Sequence, residues 1–153
     1  MKFVVSSSTL LTRLQAVSKV IGGKSVQPIL DNILLVATGG VLYATASDKE
    51  TTMEAKVELE NLEEEGKITI PAKILLDILK EFPEQPLTFD INTSTNEVKI
   101  ISEKGEFSVP GESAEDYPVQ AALNESSNDL TTKCGLVLEG IVKTIFATAN
   151  DDL

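Results

Sequence analysis

Residues 1–23 read MKFVVSSSTLLTRLQAVSKVIGG, a short apolar segment followed at once by an amphipathic one. Residues 2–5 alternate as a strand, and the three serines that follow can cap the first turn of a helix. The helical period is kept by Leu10, Leu14, Val17 and Ile21. Gly22-Gly23 then predicts the end of this helix. A strand followed by a helix is therefore the first building block of the fold.

The same order of elements returns twice further along the chain. Predicted strands follow the first helix at 32–38, 41–46 and 51–59, with Gly39-Gly40 as a hairpin turn. After an acidic turn at 60–66, a second unit has a strand at 67–70, a helix from Pro71 to about Glu81, and strands at 87–92, 97–102 and 105–109. A third unit begins with a strand at Leu130-Thr131-Thr132 and a helix at 135–149.

These repeats predict an α+β fold of two strand–helix–three-strand units, with the helices packed on one face of an antiparallel sheet. The first domain is expected at residues 1–120, and 121–129 is expected to be a linker because its surroundings are rich in Glu, Ser, Asn and Pro. Residues 130–153 are then the start of a second domain. Because the apolar face of its helix needs a cover, we expect this chain to be an N-terminal fragment.

The composition favours a cytoplasmic protein with an aliphatic core. Of the 153 residues 42% are hydrophobic, but only 5% are aromatic and none is Trp. No apolar run reaches the ~18 residues that a membrane helix needs, and the apolar start turns polar at Ser6, too early for a signal peptide. A single cysteine, Cys134, is compatible with a reducing compartment.

The residue types argue against catalysis, and we expect no catalytic residue, metal or cofactor. The chain has no histidine, the commonest general base and metal ligand. Gly22-Gly23-Lys24-Ser25 resembles the end of a phosphate-binding loop, but Ser18 stands where that motif needs glycine. A helix also enters this segment, whereas a phosphate-binding loop has a helix leaving it.

The charges are segregated along the chain. The net charge is −11, and acidic residues crowd 48–65, whereas residues 9–25 contain Arg13, Lys19 and Lys24 and no acid. On the side of each predicted helix opposite its apolar stripe lie Thr12, Gln15 and Lys19 in the first, Lys73, Asp77 and Lys80 in the second, and Glu139 and Lys143 in the third. These are either ordinary solvated faces or, if they converge on one surface, a contact site for an anionic partner.

An ordered set of short motifs resembles the bacterial β sliding clamp family, the β subunit of DNA polymerase III. They are Met1-Lys2-Phe3, Leu10-Leu11-x-x-Leu14-Gln15-x-Val17-Ser18, Gly22-Gly23-Lys24, Pro28-Ile29-Leu30-x-Asn32, Ser47-Asp48-x-Glu50, Ile70-Pro71-Ala72-Lys73, Phe107-Ser108 and Asp116-Tyr117-Pro118. The resemblance covers essentially the whole chain. It implies a non-catalytic processivity subunit in which two protomers of three domains each close a ring around duplex DNA.

The resemblance also implies site residues. Lys24 and Lys73 match basic positions that contact DNA in the family, and the helical faces add Gln15, Lys19 and Lys80. The ring-closing edge maps to the strand around Lys104 to Val109, with Phe107 and Val109 as apolar contacts; ordinary core packing is an equal alternative for Phe107. The family's pocket for polymerase and clamp loader lies outside these residues.

Two other functions remain open from the sequence. One is an enzyme that uses a nucleotide at residues 22–25, which ATP-dependent protection of Lys24 would support. The other is an α+β interaction module unrelated to DNA, assembled through exposed edge strands. Lysines scattered over different faces of the molecule would favour that module.

Overall fold

The computed structural model describes residues 1–22, 27–118 and 131–148. The chain divides into two compact units, Met1–Gln120 and Ala121–Leu153. The α-helices of the described residues are α1 (Ser7–Val17), α2 (Ala72–Lys80) and α3 (Cys134–Thr144). The strands are β1 (Lys2–Ser6), β2 (Asn32–Thr38), β3 (Val41–Ser47), β4 (Thr52–Glu58), β5 (Asn61–Glu64), β6 (Gly66–Pro71), β7 (Pro86–Asn92), β8 (Glu97–Ser102) and β9 (Gly105–Pro110).

The strands form two antiparallel sheets that exchange strands between the repeated units. One sheet has the order β5-β1-β7-β8-β9 and the other the order β4-β3-β2-β6. The first strand of each sequence repeat pairs with a strand of the other repeat. Phe3 of β1 lies opposite Phe89 of β7, and Ile70 of β6 lies opposite Ile33 of β2. The predicted α+β fold of antiparallel strands and helices is confirmed, with its strands divided between two sheets.

A single core lies between the helices and the sheets. Helix α1 buries Leu10, Leu14 and Val17 in it, and α2 buries Leu75 and Leu79. The strands contribute mostly aliphatic side chains, as the composition predicts. The exception is the pair Phe3 and Phe89, whose rings stack with their centroids 5.0 Å apart. Because both helices bury one stripe in the same core, their opposite sides are left to solvent.

Several predicted boundaries of the first unit are wrong. The acidic segment predicted as a turn contains β5, in which Leu62 pairs with Phe3 while the carboxylates point to solvent at the edge of the sheet. Pro71 does not begin a helix: it ends β6, pairs with Asn32, and stands immediately before α2. The first helix ends at Val17, and Ser18–Val20 continue it as a 3-10 turn instead of reaching Gly22.

At the start of the predicted second domain, the described part of the strand predicted at 130–132 is not a strand. Thr131 and Thr132 are not in a strand, because they pair with no other segment there, and α3 starts at Cys134. A helix is present as predicted, but it ends at Thr144 and is followed by a 3-10 turn at Ile145–Ala147, short of the predicted end at 149. The expected linker at 121–129 lies outside the described residues, and its interpretation together with that of 130–153 stays a prediction. Within the described part of the chain, no helix has the length and apolar character to span a membrane.

A polar cluster holds the segment that follows β9 against the second sheet. Glu112 and Thr69 exchange backbone hydrogen bonds of 2.9 and 3.1 Å. The buried phenol of Tyr117 donates to the carbonyl oxygens of Thr45 and Asn32, at 3.3 and 3.4 Å. Burial raises the pKa of Tyr117, so its hydroxyl stays protonated and able to donate.

Candidate nucleic-acid interface

The start of α1 is held from two directions. The hydroxyl oxygen of Ser6 accepts a 3.2 Å hydrogen bond from the backbone N–H of Thr9, as an N-cap does. The carboxylate of Glu84, which lies between α2 and β7, accepts from the backbone N–H of Ser8 and from the Ser6 hydroxyl at 3.2 and 2.8 Å. Hydrogen bonds from Ser8 and Ser6 lower the pKa of Glu84. Its negative charge therefore faces the positive end of the helix dipole.

The outer side of α1 carries the side chains that its apolar period predicts. Gln15 is exposed in the helix, and Lys19 is exposed in the 3-10 turn that follows. Arg13, which lies at the flank of the apolar stripe, is also exposed. The segment Ser7–Val20 contains no acidic residue. The outer side of α1 therefore contributes cationic and no acidic side chains of its own.

The outer side of α2 combines two lysines with a carboxylate. Lys73, Asp77 and Lys80 are all exposed and share one side of the helix, because residues three and four apart are neighbours on its surface. The ammonium of Lys80 lies 3.0 Å from the carboxylate of Asp77. Lys73 makes no ion pair with any residue that the structure describes.

The two helices contact each other and bury their stripes in the same core, so their outer sides adjoin. We call their exposed residues the helix face, formed by Gln15, Lys19, Lys73, Asp77 and Lys80. Four of the five residues predicted to contact DNA are therefore exposed on, or directly after, two helices that contact each other. The fifth, Lys24, lies outside the described residues. The helix face is cationic, although the chain as a whole carries −11.

Two lysines of the first sheet resemble Lys80 and differ from Lys73, because they are held by carboxylates. Lys2 pairs with Glu63 at 2.7 Å, and Lys99 pairs with Glu106 at 3.3 Å. Hydrogen bonds from these two lysines to their glutamates raise the pKa of both ammonium groups. A lysine neutralised by its own sheet has less charge to offer to a phosphate. Lys19 and Lys73, which have no ion pair among the described residues, are therefore more available to a phosphate than Lys2 and Lys99.

The predicted ring-closing edge is an outermost strand, but its residues do not behave alike. Strand β9 is the outermost strand of its sheet, and Phe107 is 43% exposed there. The rings of Phe107 and Phe82 meet edge to face, with their centroids 5.3 Å apart. Val109 is only 2% exposed, so its side chain packs in the core of this chain, and its contact with a second protomer stays a prediction. Lys104 is exposed, but it lies in the turn between β8 and β9 and not in the edge strand.

The described residues show no metal-binding cluster. Among them, no three His, Cys, Asp or Glu side chains are placed to hold a metal ion. The segment that resembles a phosphate-binding loop is described only as far as Gly22. The ion pair between Asp77 and Lys80 was not predicted from the sequence. Their three-residue spacing on a helix is the signal that indicates it.

Comparisons with known proteins give one family. The family model for the "DNA polymerase III beta subunit, N-terminal domain" matches residues 1–121. Over 155 residues the chain is 34% identical to the beta sliding clamp of Vibrio cholerae, covering 100% of this chain and 41% of that protein. Over 119 residues it is 38% identical to a beta sliding clamp of Vibrio harveyi, covering 77% of this chain and 81% of that one.

Solved structures agree with the sequence relatives. A sliding clamp from Pseudomonas aeruginosa, bound to griselimycin, superposes with a TM-score of 0.90 at 29% identity, covering 100% of this chain and 41% of that one. A DNA polymerase sliding clamp from Caulobacter crescentus superposes with a TM-score of 0.89 at 26% identity. The chain spans about two fifths of the length of most of these relatives, 41% in the first of them.

Proposed function

Because this chain belongs to the family of the DNA polymerase III beta subunit N-terminal domain, we propose that it is part of a DNA sliding clamp. In this proposal a ring of protein encircles duplex DNA and tethers a replicative polymerase, in the cytoplasm and without catalysing a reaction. The observation that carries it is the helix face, where Lys19 and Lys73 are exposed on two adjoining helices of an acidic protein.

The helix face suits contact with DNA that is independent of base sequence. Lysine ammonium groups attract the phosphate backbone, and such contacts position a protein on DNA without reading its bases. Lysine is a flexible point charge, whereas arginine forms fixed two-pronged contacts with phosphate. Lys19, Lys73 and Lys80, with Gln15 beside them, would therefore hold DNA loosely enough for the ring to move along it. Lys24 is proposed to contact DNA as well.

We further propose that a homodimer closes the ring through β9. An outermost strand has unpaired backbone groups that can extend a sheet into a second protomer, and Phe107 adds an exposed apolar side chain beside it. Contacts with polymerase and clamp loader are assigned to parts of a longer protein. The fragment alone is expected to bind duplex DNA weakly or not measurably.

The topological part of the proposal is tested with a longer protein that contains this chain. Loaded on nicked circular DNA it should stay bound, and it should leave once the circle is linearised, because only an end allows a ring to slip off. Release at equal rates from circular and linear DNA would reject encirclement.

The residue part is tested with the 153-residue chain and a short duplex at low ionic strength, where screening is weakest. The double variant Lys19→Ala, Lys73→Ala should weaken binding and reduce the slope of log K against log salt by about 2 if each lysine contacts one phosphate. A matched control is Lys56→Ala, Lys67→Ala, which removes the same charge from exposed positions on the second sheet. Equal loss in both variants would show that only the net charge matters.

A further inference from the structure

Asp77 is a carboxylate on a surface proposed to meet phosphate. It is the one acidic residue within α1 and α2, and it is 58% exposed at its side chain. Like charges repel, so a carboxylate at this position opposes the approach of DNA. Its place on the helix face therefore needs an explanation beyond solubility.

The surroundings of Asp77 supply that explanation. Its Oδ1 lies 3.0 Å from Nζ of Lys80 one turn later, and Lys73 stands one turn earlier on the same side of α2. The Lys80 side chain is 51% exposed, so both partners of the ion pair remain in contact with water. Ion pairs of this kind are weak and exchange readily. A phosphate could therefore replace Asp77 at Lys80, but only by competing with it.

We propose that Asp77 is a positioning residue that weakens the contact between the helix face and DNA. Its carboxylate pairs with the ammonium of Lys80 in the place that a DNA phosphate would otherwise take. Its negative charge also lowers the attraction between Lys73 and the DNA backbone. This inference rests on the proposed function. It explains how lysines on one surface can attract DNA without immobilising a ring that has to slide.

The salt dependence of binding distinguishes this role from a structural one. A lysine that is already neutralised by a carboxylate releases fewer counterions from DNA when it meets a phosphate. Asp77→Asn keeps the shape of the side chain and removes its charge, so Lys80 becomes fully available. The slope of log K against log salt should become steeper by about 1, the contribution of one phosphate contact.

The experiment measures binding of the 153-residue chain to a short duplex DNA over a series of salt concentrations. Asp77→Asn should bind about two- to fivefold more tightly than the native chain at low salt, the range expected for releasing an exposed ion pair. The matched control is Glu54→Gln, which makes the same charge change at an exposed position of β4. Equal tightening in both variants, with an unchanged slope, would overturn the inference.

A second comparison does not depend on the folding of Asp77→Asn. Because Lys80 is compensated and Lys73 is not, Lys80→Ala should weaken binding less than Lys73→Ala does. An equal or greater loss for Lys80→Ala would contradict the role of Asp77. If neither lysine variant changes binding, the helix face itself does not contact DNA, and the proposed function fails together with the inference. If both lysine variants weaken binding but Asp77→Asn behaves like its control, only the inference fails.

Discussion

Gly66 illustrates how a single residue is constrained by the far end of the chain. A Cβ built on it would lie 2.7 Å from the Cβ of Met1, closer than such atoms approach in proteins. Met1 cannot easily retreat, because it is only 2% exposed and its ammonium donates to the carbonyl of Ile91 at 3.1 Å. The Ile91 N–H in turn donates to the carbonyl of Met1 at 2.9 Å. The absent side chain is therefore a packing requirement.

Gly66→Ala should consequently lower the free energy of unfolding, by about 1 to 3 kcal/mol, as overpacking of a filled site does. Chemical denaturation of the variant and the native chain measures this difference. Gly105→Ala is the matched control, because nothing lies within 4 Å of its added Cβ. It should change stability by less than about 0.5 kcal/mol. Equal effects of the two substitutions would show that Met1 can shift.

At the scale of an element, α1 depends on a carboxylate from a distant part of the chain. Glu84 accepts hydrogen bonds at the first turn of the helix, where backbone N–H groups lack partners within it. The same glutamate lies four residues after the end of α2, so its side chain links the start of α1 to the segment that joins α2 to β7. The orientation of α1 is therefore set by tertiary contact as well as by its own sequence.

The lowered pKa of Glu84 predicts how stability responds to pH. Because its pKa in the folded chain lies below the ordinary value of 4.5, the contribution of Glu84 to stability is complete above that value and is lost as pH falls through the folded pKa. Glu84→Gln should therefore be less stable than the native chain near neutral pH, and the difference should shrink in acid. Denaturation curves at several pH values test this, with Glu81→Gln as the control at a nearby exposed carboxylate. A difference that is constant with pH would contradict the assignment.

At the scale of the whole molecule, the two edges of the first sheet differ in what they offer to another chain. One edge is the short strand β5, whose exposed carboxylates at Glu63 and Glu64 discourage pairing with a further strand. The other edge is β9, with the exposed ring of Phe107. Sheet extension through β9 is thus favoured over extension through β5.

Phe107→Ala should weaken the proposed dimer of a longer protein that contains this chain. Loss of an apolar contact at an interface should raise the dissociation constant of the dimer roughly tenfold, which sedimentation can measure. Ile101→Ala is a suitable control, because Ile101 is similarly exposed but lies on the other face of the sheet, opposite Glu106. The stability of each variant monomer is measured too, since Phe107 also contacts Phe82. Equal dissociation constants for the two variants would exclude Phe107 from the interface.

The sequence by itself determined the helices and the residues on their outer sides. The spacing of Leu10, Leu14 and Val17 predicts a buried stripe on the helix. The same spacing places Gln15 and Lys19 away from the core, and no other segment of the chain is needed for this prediction. Helical periodicity is local, so it can be interpreted from neighbouring residues alone. The same reasoning placed Lys73 and Lys80 on the outer side of α2.

Tertiary structure alone decided how the strands divide into two sheets and which apolar edge residue is exposed. Phe107 and Val109 are both apolar and face the same way, opposite Ile100 and Val98, yet one is 43% exposed and the other 2%. The difference depends on which segments lie over each side chain, and the pairing of β1 with β7 likewise joins residues 80 to 88 positions apart. Strand pairing is long-range, so the alternation within one strand cannot specify its partner.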